Sequence, residues 1–388
     1  MITWNKPPIV IYSLDFPPLR GGISRVSQGL AEALNKKHPT IVLTAFHKFR
    51  QHQNHVIHAP VVRIPGPPFV REILSFLFLL TLTYRKRLKI VVCMHWFPLA
   101  FISHLLWLFT KTPYVVYAHG SDFVHDSITF KRAIKKFFRP IKRVVFNYAA
   151  YVLTVSNFTK QLLLEDKIEN NNIIVFHNAV DTQFFKPGPK SNLLLNNKPT
   201  PNGPIILTVG RLDPHKGHDT VLKAMKILLE EFPRLTYLIV GTGPNEEYLT
   251  QLIKEFKLND HVKLLPEISD DLLPSIYQHC DIFVMPSRHL QNRTDLLEGF
   301  GVVFLEAAAC GKPAIGTHTG GIPEAVLDGK TGILVNPDSV EELVRAIRRL
   351  LIDKPLAHLL GQNARKRTEK EANWEVTAER FLSLLSGS

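Results

Sequence analysis

"PIILTVGRLDPHKGHDTVLKAM", residues 204–225, sets the reading of the whole chain. A β-branched run ends at Gly210, a polar loop follows, and apolar positions then recur at helical spacing. A strand that is apolar at nearly every position is buried on both faces, and belongs to a parallel sheet wrapped by helices. The pattern repeats downstream at "LTYLIVGTG" (235–243), "VKLLPEI" (262–268), "DIFVMPS" (281–287), "KPAIGTH" (312–318) and "GILVNP" (332–337). Upstream it is already present at "IVIYS" (9–13), "TIVLTAF" (40–46), "KIVVCMH" (89–95), "YVVYAHG" (114–120) and "YVLTVS" (151–156).

Between the two series, "KPGPKSNLLLNNKPTPNGP" (186–204) holds five prolines and reads as a linker. A chain of 388 residues is long for a single core, so two domains are the natural division. The expected fold is α/β, with two Rossmann-like domains facing each other across a cleft and ligands at the carboxyl ends of the strands. The expected boundaries are an N-terminal domain over 1–186, a linker over 187–203 and a C-terminal domain over 204–370. A helix over 371–388, including "WEVTAERFLSLL", is expected to pack back across the domains.

Residues 1–190 carry 25 Lys/Arg against 9 Asp/Glu, and residues 191–388 carry 22 against 25, so the formal charge of +13 resides in the first half. Such a field draws phosphates, whether in nucleic acid, anionic lipid or a phosphorylated acceptor. Cys93, Cys280 and Cys310 lie in apolar sequence with neither paired nor metal-ligand spacing, which reads as buried thiols of a reducing compartment. "MITWNKPPIVIYS" lacks the basic-then-apolar layout of a signal peptide and reads as the approach to the first strand. The expected location is cytoplasmic, peripheral on the inner face of the membrane if the basic half binds lipid.

Two greasy runs, "ILSFLFLLTLT" (73–83) and "WFPLAFISHLLWLF" (96–109), fall short of the roughly 20 residues that span a bilayer and read as core helices. "FKRAIKKFFRPIKR" (130–143) alternates cations with aromatics at helical spacing. It suits a solvated basic face, or an anionic membrane touched through Lys131, Arg132, Lys135, Lys136, Arg139, Lys142 and Arg143.

The loops at the strand ends carry the chemistry. "PPLRGGISRVSQGLAEAL" puts Gly21 and Gly22 before a helix, where bare backbone lets an anion approach the unpaired amides, although a plain turn has the same sequence. His119 in "AHGSD" stands at the carboxyl end of a strand. Arg211 and Lys216 leave the strand of the opening stretch five residues apart, a fork and a point charge suited to a diphosphate. "VGTGP" is half of a dinucleotide fingerprint without its third glycine. In "LEGFGVVFLEAAACG" Glu298 and Glu306 are eight apart, one in a glycine turn and the other two helical turns on, so they do not form a close carboxylate dyad. The amides near Gly301, Val302 and Val303 are positioned to meet a phosphate. Gly320 and Gly321 in "THTGGIPEAV" open another short helix.

In combination, "GRLDPHKG", "VGTGP", the E-x7-E spacing and "GGIPEAV.DG.TG.LV.P" resemble the group 1 glycosyltransferases, retaining nucleotide-sugar enzymes of the GT-B fold. The resemblance runs from the Gly-Gly turn to about residue 350 and implies an acceptor-binding first domain and a nucleotide-sugar-binding second one. It implies His119, Arg211, Lys216 and Glu298 as the catalytic set. Donor contacts would come from Gly22, Arg211, Lys216, Glu298, Gly299, Phe300, Gly301, Val302 and Glu306, with the diphosphate on Arg211 and Lys216, the sugar on Glu298 and the ribose on Glu306. No metal and no cofactor are expected beyond the nucleotide sugar itself, GDP-mannose or a UDP-hexose, and Glu298 is expected to position rather than attack. The lengthened loop "SRHLQNRTDLL" before Glu298, with Asp295, resembles that of mannosyltransferases acting on phosphatidylinositol mannosides. A lipid-linked or glycan acceptor follows from that resemblance, and no nucleic-acid partner. A sugar-nucleotide epimerase on the same fold and a basic lipid- or nucleic-acid-binding module are the competing readings.

Overall fold

The computed structural model describes residues 6–47, 57–86, 88–120, 131–190, 194–195, 198–199, 203–266, 268–290 and 297–387, without the side chains of 86, 131–137, 194–195 and 198–199. The chain divides into two compact units, Met1–Ala179 with Trp374–Ser388, and Val180–Asn373.

The first unit is built on seven parallel strands in the spatial order Val61–Ile64, Thr40–Ala45, Ile9–Tyr12, Ile90–Cys93, Tyr114–Ala118, Tyr151–Thr154 and Ile173–Val175. The second has six, in the order Val262–Leu265, Thr236–Val240, Ile205–Val209, Ile282–Val284, Ala314–Thr317 and Gly332–Val335. In each sheet the chain adds strands to one side of its first strand, then crosses over and adds to the other. Helices depart to opposite faces on either side of that reversal, which parts the loops and leaves a crevice beyond the strand ends. The reversals lie between Ile9–Tyr12 and Ile90–Cys93, and between Ile205–Val209 and Ile282–Val284.

Every residue of Ile9–Tyr12, Tyr114–Ala118, Ile205–Val209 and Thr236–Val240 is buried, as apolar strands covered on both faces require. Two strands of the first sheet escape the sequence reading. Val61–Ile64 and Ile173–Val175 lie at its edges and are mostly half-buried, so their short runs lack the intensity of the central ones. Ser156, Ser339 and Asp353 cap helices by accepting from the amides of Thr159, Glu342 and Leu356, the local reason those helices begin where they do. Cys93, Cys280 and Cys310 are buried free thiols.

The greasy run at 73–83 is only in part a core helix. Helix Pro68–Lys86 buries Ser75 and Leu79 but leaves Phe69, Val70, Ile73, Leu74, Leu77 and Tyr84 exposed. Helix Phe101–Thr110 is better covered, with Ile102, Ser103, His104 and Leu106 buried. Among the described residues no helix is long and apolar enough to cross a membrane.

The boundary between the units falls at Ala179/Val180, before the proline-rich stretch that composition marks as the linker. Hydrogen bonding explains the difference. The Val180 amide donates to the Ala372 carbonyl at 2.9 Å, and Gln278 Nε2 donates to the Lys186 carbonyl at 2.8 Å. Arg365 gathers the carbonyls of Thr182, Phe185 and Ala309. The final helix, Trp374–Ser386, belongs to the first unit, where Tyr151 Oη donates to the Leu384 carbonyl and Phe381 meets the Phe176 ring edge-on. Arg365→Ala strands three carbonyls that the guanidinium satisfies, and is expected to cost about 2–3 kcal/mol. Urea unfolding should show this as a lower midpoint at unchanged slope.

Candidate active site

In the second unit the loops after Ile205–Val209, Ile282–Val284 and Ala314–Thr317, three neighbouring strands, bring together residues far apart in sequence. Lys216 Nζ reaches Glu298 Oε2 at 2.5 Å, and both side chains are largely buried, at 16% and 12% exposure. The Glu298 carboxyl carbon also lies 3.7 Å from where a side-chain carbon on Gly301 would stand, at the start of helix Val302–Ala309. The ammonium and the helix N-terminus both favour negative charge at this point.

Two glycines make that meeting possible. A side-chain carbon on Gly217 would fall 2.1 Å from the Pro286 carbonyl oxygen, so only glycine lets the Lys216 loop lie against the strand end that precedes the Glu298 loop. A side-chain carbon on Gly321 would fall 2.0 Å from the Gly299 carbonyl oxygen, and the Gly321 amide donates to the Glu298 carbonyl at 3.0 Å. The second glycine pair of the sequence is thus the seat of the Glu298 turn. "VGTGP" has a related use, because Gly241 packs against the Gly210 carbonyl where the two strands' loops run together.

The other expected residues are placed differently. The Arg211 side chain is three-quarters exposed, with Nε on Asp213 at 3.0 Å. Glu306 is fully buried and accepts from Tyr277 Oη at 2.7 Å, a partner that the sequence reading missed. Phe300 is buried beneath the turn and Val302 begins the helix. Arg288, the first charged residue of the long loop, holds Asp219 through two guanidinium nitrogens at 2.7 and 3.1 Å, Asp338 at 2.8 Å and the Pro214 carbonyl. It ties that loop's root to the segment carrying Lys216. Asp295 lies outside the described residues.

In the first unit Gly22 opens helix Gly22–Asn35, and a side-chain carbon there would meet nothing within 4 Å. His119 is half-buried and packs on Tyr117, ring centroids 4.6 Å apart. Its neighbour His95, at 6.4 Å between centroids, reaches Asp15 at 3.2 Å. Asp15, His95 and His119 follow Ile9–Tyr12, Ile90–Cys93 and Tyr114–Ala118, three adjacent strands, so one positional signal would have found all of them. Burial, reinforced by His95, pushes the His119 imidazolium down to about 3, and the ring is neutral at neutral pH. The hydrogen bond from His95 holds the Asp15 carboxyl below its usual range. Of the expected basic face, Arg139 and Lys142 converge on the Asp166 carboxylate at 2.8 and 2.9 Å, and Arg143 donates to the Asp166 carbonyl. The side chains of Lys131, Arg132, Lys135 and Lys136 lie outside the described residues.

Both units carry glycosyltransferase domains, the second of them a group 1 domain, on the GT-B fold. The family model for "Glycosyl transferases group 1" matches residues 195–367 and that for "Glycosyltransferase Family 4" matches residues 20–184. Among relatives the chain is similar to the GDP-mannose-dependent alpha-(1-6)-phosphatidylinositol monomannoside mannosyltransferase of Mycolicibacterium smegmatis, 28% identical over 98% of both chains. Among solved structures, sucrose-phosphate synthase from Thermosynechococcus elongatus superposes with a TM-score of 0.81 at 23% identity, covering 99% of this chain and all of the other. Anabaena HepE in complex with UDP-glucose superposes with a TM-score of 0.77 at 19% identity, over 98% of this chain and all of that one.

Two outcomes follow from the geometry. Gly321→Ala must push the Glu298 turn aside, so the donor KM is expected to rise about tenfold or more, with little change in the circular dichroism spectrum. Burial also pushes His215 and His218 down to about 4, with Lys216 adding to both shifts. These rings and His119 stay neutral in the folded chain, while an unfolded histidine takes up its proton below about pH 6.5. The unfolded state then binds more protons, so stability falls as pH drops from about 6.5 toward 4. Thermal midpoints should decline over that interval, less steeply in His119→Asn.

Proposed function

We propose that the protein transfers mannose from GDP-mannose to a hydroxyl of a lipid-linked glycan, with retention of anomeric configuration. The observation that carries this reading is the largely buried Lys216–Glu298 pair, formed where the sheet reverses and seated on Gly321. The relatives dependent on GDP-mannose, aligned over nearly their whole length, favour this donor and acceptor class.

In the proposed reaction Lys216 and Arg211 take the diphosphate. Their charge and the amides at the start of helix Val302–Ala309 stabilise the leaving group as the bond from the sugar's anomeric carbon to phosphate oxygen breaks. The acceptor oxygen forms its bond to that carbon on the same face, and its proton passes to the departing diphosphate. Glu298 holds sugar hydroxyls without forming a covalent bond, and Glu306, fixed by Tyr277, holds the ribose. Within the first unit, Gly22 offers a bare helix start and His119 a neutral imidazole. These cations and amides do the electrostatic work a metal would do, so turnover is expected to survive chelation by EDTA.

GDP-mannose should raise the thermal midpoint of the wild type and be turned over, and Lys216→Ala should reduce kcat/KM by about 10²-fold or more. Stabilisation by UDP-hexoses with no response to GDP-mannose would overturn the donor assignment. Product of inverted configuration would overturn the stereochemical one.

A further inference from the structure

Helix Pro68–Lys86 turns an uncharged apolar side outward. Phe69, Val70, Ile73, Leu74, Leu77 and Tyr84 are exposed, Phe69 at 78% and Tyr84 at 73%. At 3.6 residues per turn these six positions fall within an arc of about 140°, which holds only one further exposed residue, Thr81. The opposite side faces the core through Ser75 and Leu79. The neighbouring helix Phe101–Thr110 extends the patch with exposed Leu108 and Phe109, and Phe109 meets Phe76 edge-on at 6.3 Å. Scattered apolar residues at a surface need no explanation, but a contiguous set on two adjoining helices marks something that covers it.

Charge identifies the cover. From residue 57 to 120 the sequence has seven Lys/Arg and a single acid, Glu72, which Arg71 pairs at 2.5 Å. Exposed Arg85 ends the stripe, and exposed Lys111 lies 4.4 Å over the Trp107 ring at the end of the second helix. An apolar face edged by cations, with aromatic rings at its rim, is the composition that settles at an anionic bilayer surface. A second copy of the chain would bring these cations against their own kind.

We propose that the face formed by Phe69, Ile73, Leu77, Tyr84, Leu108 and Phe109 inserts into the headgroup region of an anionic membrane and seats the first unit there. The proposal deepens the lipid-acceptor reading. It moves the membrane contact from the basic helix at 131–143, where Arg139 and Lys142 are engaged by Asp166, to the helix at 68–86.

The test uses the full chain with phosphatidylcholine vesicles, with and without phosphatidylglycerol. The wild type should sediment with the anionic vesicles, and Phe69→Ser with Leu77→Ser should bind at least tenfold more weakly, while GDP-mannose hydrolysis by both proteins stays equal. Leu77→Trp should emit at shorter wavelength on anionic vesicles and be quenched by brominated acyl chains. Equal sedimentation of the double variant, no quenching, or light scattering that shows the substitutions splitting a dimer would each overturn the proposal. Loss of vesicle binding on substitution, in a protein that ignores GDP-mannose, would sustain this surface and remove the donor assignment.

Discussion

Lys216 and Glu298 stand 82 positions apart and meet because Ile205–Val209 and Ile282–Val284 are neighbours in one sheet. That adjacency is the product of the crossover that reverses the strand order, so the pair depends on topology before any local feature. Once the strands lie side by side, their loops must approach to backbone contact. Gly217 against Pro286 permits it, and Gly321 against Gly299 lets the loop after Ala314–Thr317 reach the Glu298 turn; any side chain at either position would hold the loops apart. A buried ion pair is weak evidence of net stability, because desolvation opposes its attraction. Its use here is positional: it fixes an ammonium and a carboxylate at a helix start before any ligand arrives.

The first unit follows the same logic with different chemistry. Asp15, His95 and His119 stand past the ends of three adjacent strands, and burial keeps His119 neutral. The second unit thus holds an ammonium–carboxylate pair at a helix start, and the first an uncharged ring.

Much of this was legible in the sequence. The central strands announced themselves because a strand buried on both faces is apolar throughout; Arg211, Lys216 and Glu298 stood out as polar residues in loops between such runs, and Glu306 as a carboxylate within an apolar helix. Edge strands such as Val61–Ile64 were not legible, because half-buried residues need no such pattern. Tyr277 gave no signal either, since a tyrosine on an apolar helix face looks like packing until its hydroxyl is seen on Glu306. The unit boundary was displaced because proline content marks where a chain is irregular, whereas the boundary is set by where its backbone is bonded.

Local periodicity and the residue types at strand ends suffice for the α/β class, the two-unit plan and the loops that hold the candidate site residues. Which loops meet, the seating of the Glu298 turn on Gly321 and the uncovered side of helix Pro68–Lys86 emerge from packing alone. The physical reason is that periodicity records how many faces of an element are apolar. It does not record which element packs against each face, and that is fixed by strand order and close packing.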